Sequence, residues 1–387
     1  MTVPGLRPRI LVVDDDPSIL RTVGRIFERD YAVACAASGA EALQSLAKFP
    51  PEVAIVDIRM PEMNGLELMN RLHALRPDLD VIVMTGTSEE PDANLVQAMV
   101  AGAFYFVQKP FDRRVLLTLV ARCLELRRLR EEKEQYLRAL QQDLEEARKF
   151  QVSLLPPPHA DLNGLAIDAR HVSCHELAGD FYDYAPIDPH AVAVVIADVV
   201  GHGTSAAMLT SIVKSAFHAA LVNTYDPIKV VDNVKEGIRA FDPGRFITLC
   251  AARLDLETRA LVYANAGHPP VLLHRLGQKP VFLDSTGPLV SSLFAEVPAQ
   301  SARCPLELGD AVVFYTDGIT EAHGPPGLFG FERLASVMAR CRHSGSERLD
   351  ELLAAVSEFS AGRPSQDDMT LVAVELPMAE RPPLQEG

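Results

Sequence analysis

The sequence predicts an α/β doubly wound parallel-sheet domain, then a long helix, then an α+β domain of packed sheets and helices. Three observations carry this. Short apolar runs alternate with amphipathic stretches up to about residue 124, the pattern of a parallel sheet covered on both faces. Residues 125–150 contain neither Gly nor Pro and are rich in Leu, Glu, Arg and Gln. Beyond Pro156-Pro157-Pro158, strand-length runs return, several with an acid at one edge. A chain of 387 residues accommodates two or three such domains.

In the first domain the strand-like runs end on chemistry. "RILVV" ends at Asp14-Asp15-Asp16, "EVAIV" at Asp57, "DVIVM" at Thr85-Gly86 and "FYFV" at Gln108-Lys109-Pro110. Sites in parallel sheets form at the carboxyl ends of the strands. Asp14 and Asp15 offer hard oxygen ligands to Mg²⁺, with Asp57 a third carboxylate beside them. Thr85 and Lys109 are placed to bind oxygens of a group added to Asp57. The set suits phosphorylation of a carboxylate, with the metal neutralising the transferred charge. Each acid alone would serve as a helix N-cap; five such residues at four strand ends argue for more.

"LVVDDDP", "VDIRMPEMNG", "VIVMTG" and "QKPF" resemble the motifs of response-regulator receiver domains, over about residues 9–124. The resemblance implies Asp57 as phosphoacceptor and Asp14, Asp15 and Asp57 as the Mg²⁺ site. It also implies Thr85 as switch hydroxyl, Phe106 as aromatic switch, Lys109 as phosphate-sensing base, and a cis peptide before Pro110. A sensor histidine kinase or phosphotransfer protein is the implied phosphodonor.

Residues 125–155 read as a helical coiled-coil linker. A 4-3 spacing from Leu119 passes through Cys123, Leu126, Leu137, Leu140, Leu144, Ala147, Gln151 and Leu154, and is interrupted at Arg130 and Lys133. A helix from about 112 to 153 would be roughly 60 Å long, and without a wide apolar face it needs a partner. A parallel dimer, hence a homodimeric protein, is the expectation. The prolines from Pro156 stop the helix.

In the remaining 156–377, acids recur at strand edges: Asp180 and Asp183 in "GDFYDY", Asp198 in "IADVVGHG", Asp317 and Glu321 in "FYTDGITEA", Asp367 and Asp368 in "SQDDMTLVAV". Without matching lysines such acids repel, and burial raises their pKa values unless cations lie between them. No His/Cys cluster is available, so oxygen ligands favour Mg²⁺ or Mn²⁺ over Zn²⁺. Two such ions can acidify a water and clamp a phosphate ester for in-line attack. Gly201-His202-Gly203 lacks the lysine of a nucleotide-binding loop. Its glycines leave backbone free to approach metal or phosphate.

"HELAGDFYDY", "IADVVGHGTSAAML", "NAGHPP", "VFYTDGITEA" and "QDDMTLVAV" resemble the metal-dependent protein phosphatases of the protein phosphatase 2C superfamily, in the sporulation stage II protein E branch. The likeness spans about residues 145–377 and includes the helical lead-in "EARKFQVSLLP". It implies two antiparallel sheets packed as a β-sandwich flanked by helices, and two Mn²⁺ or Mg²⁺ ions. These would be held by the catalytic acids Asp180, Asp198, Asp317 and Asp367, with the Val199 carbonyl assisting and Asp368 a neighbour. Glu176 occupies the acidic position before the Gly-Asp pair. Two departures stand out: Ala178 replaces the first glycine of Gly-Gly-Asp, and Val200 replaces a serine. Neither removes a carboxylate. His202 and His268 read as structural more than catalytic, and Lys214 as a weak candidate for holding phosphate.

The expected protein is a two-component response regulator. Asp57 phosphorylation would control a serine/threonine phosphatase acting on a phosphorylated anti-sigma-factor antagonist. The alternative is a non-enzymatic adaptor. Net charge is −15, of which −12 falls in residues 156–387, so nucleic acid is an unfavourable partner. Unpaired cysteines, the lack of a signal-peptide layout and the lack of a spanning apolar run predict a cytoplasmic protein without a membrane role. The 378–387 tail reads as flexible.

Overall fold

The computed structural model describes residues 7–86, 104–201, 203–222, 224–241, 244–275 and 277–377. His202 and the 378–387 tail lie outside them. The chain divides into two compact units, Met1–Ala139 and Leu140–Gly387.

The first unit runs β1 (Arg9–Val13), α1 (Pro17–Phe27), β2 (Ala32–Ala36), α2 (Gly39–Ser45), β3 (Val53–Asp57), α3 (Gly65–Leu75), β4 (Asp80–Thr85), β5 (Tyr105–Gln108) and the start of α4 (Arg113–Leu154). Its strands form one parallel sheet in the order β2-β1-β3-β4-β5. All five residues of the central β3 are buried, which explains its unbroken apolar run before Asp57. Alternate side chains of β1, β3 and β4 feed two cores. One packs with α2 and α3 and contains Leu68, Met69 and Leu72; the other packs with α1 and α4 and contains Phe27, Leu116 and Val120. The doubly wound expectation holds. Asp16 caps α1 by accepting from the Ser18 amide at 2.7 Å, with Pro17 at the first turn.

Helix α4 is one uninterrupted helix of 42 residues. Its first turns bury Leu116, Val120 and Cys123. Arg127 then donates to the Asp78 carboxylate at 2.6 Å and to its carbonyl at 2.7 Å. Arg130 reaches Asp80 at 3.2 Å and lies 4.9 Å over the Phe104 ring. The seam's interruption at Arg130 is therefore an anchor on the first unit. Over its middle turns the helix is largely exposed: Leu137 and Leu140 are 50% and 44% exposed.

The second unit continues with β6 (His159–Leu162), β7 (Leu165–Val172), β8 (Asp180–Asp188), β9 (Ala191–Val199), α5 (Thr204–Leu221), α6 (Pro227–Ile238), β10 (Phe246–Asp255), β11 (Ala260–Ala266), β12 (Val271–His274), β13 (Val281–Leu283), β14 (Val290–Ser291), β15 (Ala302–Pro305), β16 (Ala311–Tyr315), α7 (Asp317–Thr320), β17 (His323–Gly324), β18 (Gly327–Leu328), α8 (Gly330–Arg340), α9 (Gly345–Phe359) and β19 (Met369–Glu375). One sheet has the order β15-β11-β10-β9-β8, with β14 on β10; the other has β13-β12-β16-β19-β7-β6. Their pairings are antiparallel. Tyr182, Val194, Phe314 and Val372 belong to the core between the sheets. Outside, α5 and α6 cover the first sheet, while α7, α8 and α9 cover the second. The result is a sandwich of two sheets between two helical layers. The six cysteines are free thiols. Among the described residues no helix is long and apolar enough to cross a membrane.

Candidate active site and phosphoacceptor site

In the first unit the ends of β1, β3 and β5 deliver Asp14, Asp57 and Lys109 to one place. Lys109 Nζ lies 2.6 Å from Asp14 Oδ2 and 2.8 Å from Asp57 Oδ1. Ligand atoms of Asp14, Asp15 and Asp57 all fall within 4.8 Å of one another, with Asp15 exposed and the other two buried. That donor set, all carboxylate oxygen, matches a hard divalent cation. Burial pushes the Asp57 carboxyl up and Asp14 adds to the rise, against the lowering effect of Lys109. Burial would lower Lys109, but its bonds to Asp14 and Asp57 outweigh it and raise the ammonium. The peptide before Pro110 is cis. The Thr85 hydroxyl donates to the Gly86 carbonyl at 3.2 Å. Phe106 is 45% exposed on β5.

In the second unit the acids arrive from both sheets. Asp180 opens β8 and is the register partner of Asp198, near the end of β9. Asp317 follows β16 as the first residue of α7, and Asp367-Asp368 lead into β19. Thr316 and Thr370 hydroxyls both donate to Asp180 Oδ2, at 2.7 and 2.6 Å. These two bonds join the sheets across the acid end. Asp368 is spent on backbone: its oxygens accept from the Cys174 amide at 2.8 Å and the Gly179 amide at 2.7 Å. That distinguishes it from the other acids and makes it the anchor of the 174–179 loop.

The same loop passes so close to the end of β9 that a Cβ at Gly179 would lie 2.7 Å from the Val199 carbonyl and 3.1 Å from that of Gly201. Only glycine permits this crossing. The neighbouring Ala178, at the sequence's first departure, is gripped by α4. Gln151 donates to its carbonyl at 2.7 Å and accepts from its amide at 3.0 Å, and the glutamine is buried.

Charge dominates this site. Burial and the Asp198 charge push Asp180 well above its ordinary value. Burial, Asp317 and Asp367 push Asp198 up to about 7. Burial, Asp367 and Glu321 push Asp317 up to about 6. Among the described residues no lysine or arginine is hydrogen-bonded to any of these acids, nor to Asp367 or Asp368. The donor set is thus carboxylates plus the buried Val199 carbonyl, and it fits Mn²⁺ or Mg²⁺. Among the described residues, these acids do not gather three ligand atoms within 4.8 Å as the first unit's do.

Several singled-out residues fall elsewhere. Asp183 faces away from Asp180 and takes Lys214 Nζ and His218 Nε2, each at 2.9 Å. Lys214 also caps the end of α4 by donating to the Leu154 carbonyl at 2.6 Å, so it is not a phosphate ligand. His268 is buried and paired to Thr248 at 3.0 Å, with its amide on Asn265, and burial lowers it to about 3. It braces "NAGHPP" as a neutral imidazole. Glu176 is exposed at the rim of a cavity of about 480 Å³ that also includes Asp180 and Gln151. The reading from sequence missed Thr316, Thr370 and Gln151. The two threonines sit beside motif acids, and that adjacency was the available signal.

Comparison with known proteins accords with this geometry. Residues 10–121 match the response regulator receiver domain family, and residues 188–377 match the stage II sporulation protein E (SpoIIE) family. The phosphoserine phosphatase RsbP of Bacillus subtilis is 28% identical over 184 residues, covering 46% of this chain and 45% of RsbP. The phosphoserine phosphatase RsbU of the same organism is 27% identical over 251 residues, covering 62% of this chain and 73% of RsbU. The chain thus spans less than half the length of RsbP. The SiaA-PP2C domain of Pseudomonas aeruginosa superposes with a TM-score of 0.55 at 20% identity, over 62% of this chain and 98% of that domain, a likeness of fold.

Proposed function

The chain joins a response-regulator receiver domain to a phosphatase domain of the SpoIIE type within the protein phosphatase 2C superfamily, and on that premise we propose that it is a metal-dependent serine/threonine phosphatase controlled by phosphorylation of Asp57. On this reading residues 9–124 are the receiver, 125–155 the coiled-coil linker and 156–377 the phosphatase, in a cytoplasmic homodimer. The observation that carries the enzymatic reading is the acid set of buried Asp180, half-buried Asp198 and Asp317 and exposed Asp367; burial and neighbouring carboxylates push the first three up, and among the described residues no lysine or arginine is hydrogen-bonded to any of them. Mn²⁺ or Mg²⁺ held there supplies Lewis acidity toward phosphoryl oxygens and acidifies a water.

The chain's own residues do the positioning. Thr316 and Thr370 fix the Asp180 carboxylate, and Asp368 holds the 174–179 loop against the end of β9, next to Asp180. In the receiver, Asp14, Asp15 and Asp57 would hold Mg²⁺, and Lys109, 2.8 Å from Asp57, would bind a phosphoryl oxygen placed there. Thr85 is the hydroxyl that turns toward that group, and Phe106 follows it. A kinase or phosphotransfer protein supplies the phosphoryl group. The names of RsbP and RsbU support phosphoserine as the substrate. A phosphorylated anti-sigma-factor antagonist is the proposed partner. The exposed Leu137 and Leu140 support pairing of α4 with its copy in a second chain.

The test is Mn²⁺-dependent hydrolysis of p-nitrophenyl phosphate and of a phosphoserine protein, with and without beryllofluoride. Metal-dependent turnover that beryllofluoride changes, and that Asp180→Asn abolishes, supports the proposal. Folded protein with no turnover in any condition would replace the enzyme by an adaptor.

A further inference from the structure

Beside the acids, the second unit carries a cavity of about 540 Å³. Glu321 and Asp367 line one part of it, Val172, Leu353 and Val356 supply apolar walls, and Arg363 lines another part. Glu321 and Asp367 are the same residues whose charges bear on Asp198 and Asp317, so the cavity is continuous with the acid site.

Several arginines of this unit are committed to carboxylates, and Arg363 is not. Arg170, Arg253, Arg275 and Arg348 are each paired with a carboxylate. The Arg363 guanidinium is exposed and makes no hydrogen bond or ion pair with any described residue. Its backbone is nonetheless fixed. Helix α9 ends in a tight turn with Ala361 and Gly362 at φ of +52° and +69°. Three bonds close that turn: Ala361 amide to Glu358, Gly362 amide to Ser357 and Arg363 amide to Ser360, at 3.0, 3.1 and 3.1 Å. A non-glycine residue held at positive φ costs roughly 1–2 kcal/mol. The turn is therefore a defined geometry, and it holds the Arg363 cation beside a cavity whose lining also includes two acids, apolar side chains, His323, Gln366 and three serines.

We propose that this groove binds the phosphorylated segment of a protein substrate, with Arg363 hydrogen-bonding phosphoryl oxygens and the Val172–Leu353–Val356 wall taking an apolar side chain next to the phosphorylated residue. It rests on the phosphatase reading of the adjoining acids. A phosphate dianion is repelled by Asp367 and Glu321 unless cations face it. Guanidinium is the side chain best shaped to bind two phosphoryl oxygens together. The apolar wall, with Val172 40% exposed, gives affinity for an aliphatic neighbour and none for a small phosphoester.

The test is fluorescence anisotropy of labelled peptides on the full chain in Mn²⁺. Each peptide carries a non-hydrolysable difluoromethylene phosphonate in place of phosphoserine, flanked by leucine or by alanine. Arg363→Ala should weaken both peptides about tenfold or more, in line with the loss of a charge-assisted bond, and Arg363→Lys should recover part of the loss. Val172→Glu, at an exposed strand end, should weaken the leucine-flanked peptide selectively. Unchanged peptide affinity in Arg363→Ala, or equal losses for both peptides in Val172→Glu, overturns the groove. Turnover of p-nitrophenyl phosphate by the unmutated chain is scored separately. Peptide binding through Arg363 without turnover keeps the groove and removes the phosphatase; turnover with Arg363-independent binding does the reverse.

Discussion

Replacing Asp198 by asparagine should stabilise the metal-free protein, although it destroys the proposed site. Asp198 titrates at about 7 in the fold against an ordinary 3.8, because burial, Asp317 and Asp367 all oppose its charge. A folded pKa above the unfolded one means that ionisation works against folding. The penalty is absent below about pH 3.8, grows between 3.8 and 7, and is complete above 7. A difference of that size corresponds to at most about 4 kcal/mol, and to less where Asp180 takes up the proton in its place. Asparagine keeps the shape and removes the charge. In EDTA at pH 8, Asp198→Asn should therefore unfold higher than the parent, by at most roughly 8–16 °C at the 2–4 °C per kcal/mol expected for a unit of this size. At pH 4 the two should coincide. Saturating Mn²⁺ should reverse the order, since only the parent gains binding energy. Thermal unfolding followed by circular dichroism at both pH values reads all three comparisons. An asparagine variant no more stable than the parent at pH 8 in EDTA would refute the claim that this site is an uncompensated acid cluster.

Three further outcomes are expected. Gly179→Ala places a methyl 2.7 Å from the Val199 carbonyl, and should cost about 1–3 kcal/mol in urea unfolding and weaken stabilisation by Mn²⁺. Gln151→Leu strands the Ala178 amide and carbonyl, each unmet group costing about 1–3 kcal/mol; turnover should fall by about tenfold or more while Asp57-dependent Mg²⁺ binding in the receiver is unchanged. Asp57→Asn should abolish any beryllofluoride effect on sedimentation and on p-nitrophenyl phosphate hydrolysis, leaving basal hydrolysis intact; a surviving effect would remove Asp57 as the switch.

What the sequence made legible was local. Strand-length apolar runs ending in Asp14, Asp57 or Asp198 announce both the strand and the polar end, because a fully buried strand can turn polar only where it leaves the sheet. Asp183 was misjoined to Asp180 for a local reason as well. Three residues apart in a strand means opposite faces, and Asp183 meets Lys214 and His218. Thr316 and Thr370 had only their closeness to motif acids as a signal, which does not tell their role; the pairing of β16 with β19 is what brings both hydroxyls to Asp180. The strand order β13-β12-β16-β19-β7-β6 joins residues some 200 apart in the chain, and no periodicity encodes it.

Gln151 marks where the local reading and the fold part most instructively. On the heptad seam it is a polar residue at an apolar position, a minor blemish in a coiled coil. In the fold it grips both backbone groups of Ala178, next to Gly179, whose amide Asp368 holds and whose carbonyl accepts from Val199 at 3.2 Å. One turn of α4 is thereby tied through three consecutive backbone positions to Asp180 and to the end of β9. The opposite end of the same helix is tied by Arg127 to Asp78 and by Arg130 to Asp80. Between these anchors the helix has no tertiary support of its own among the described residues, and a single solvated helix bends and frays too readily to carry a defined displacement. Pairing through Leu137 and Leu140 would stiffen that stretch. A receiver that changes how two copies of α4 pair would then change the pull on Ala178 with no contact needed between receiver and acids.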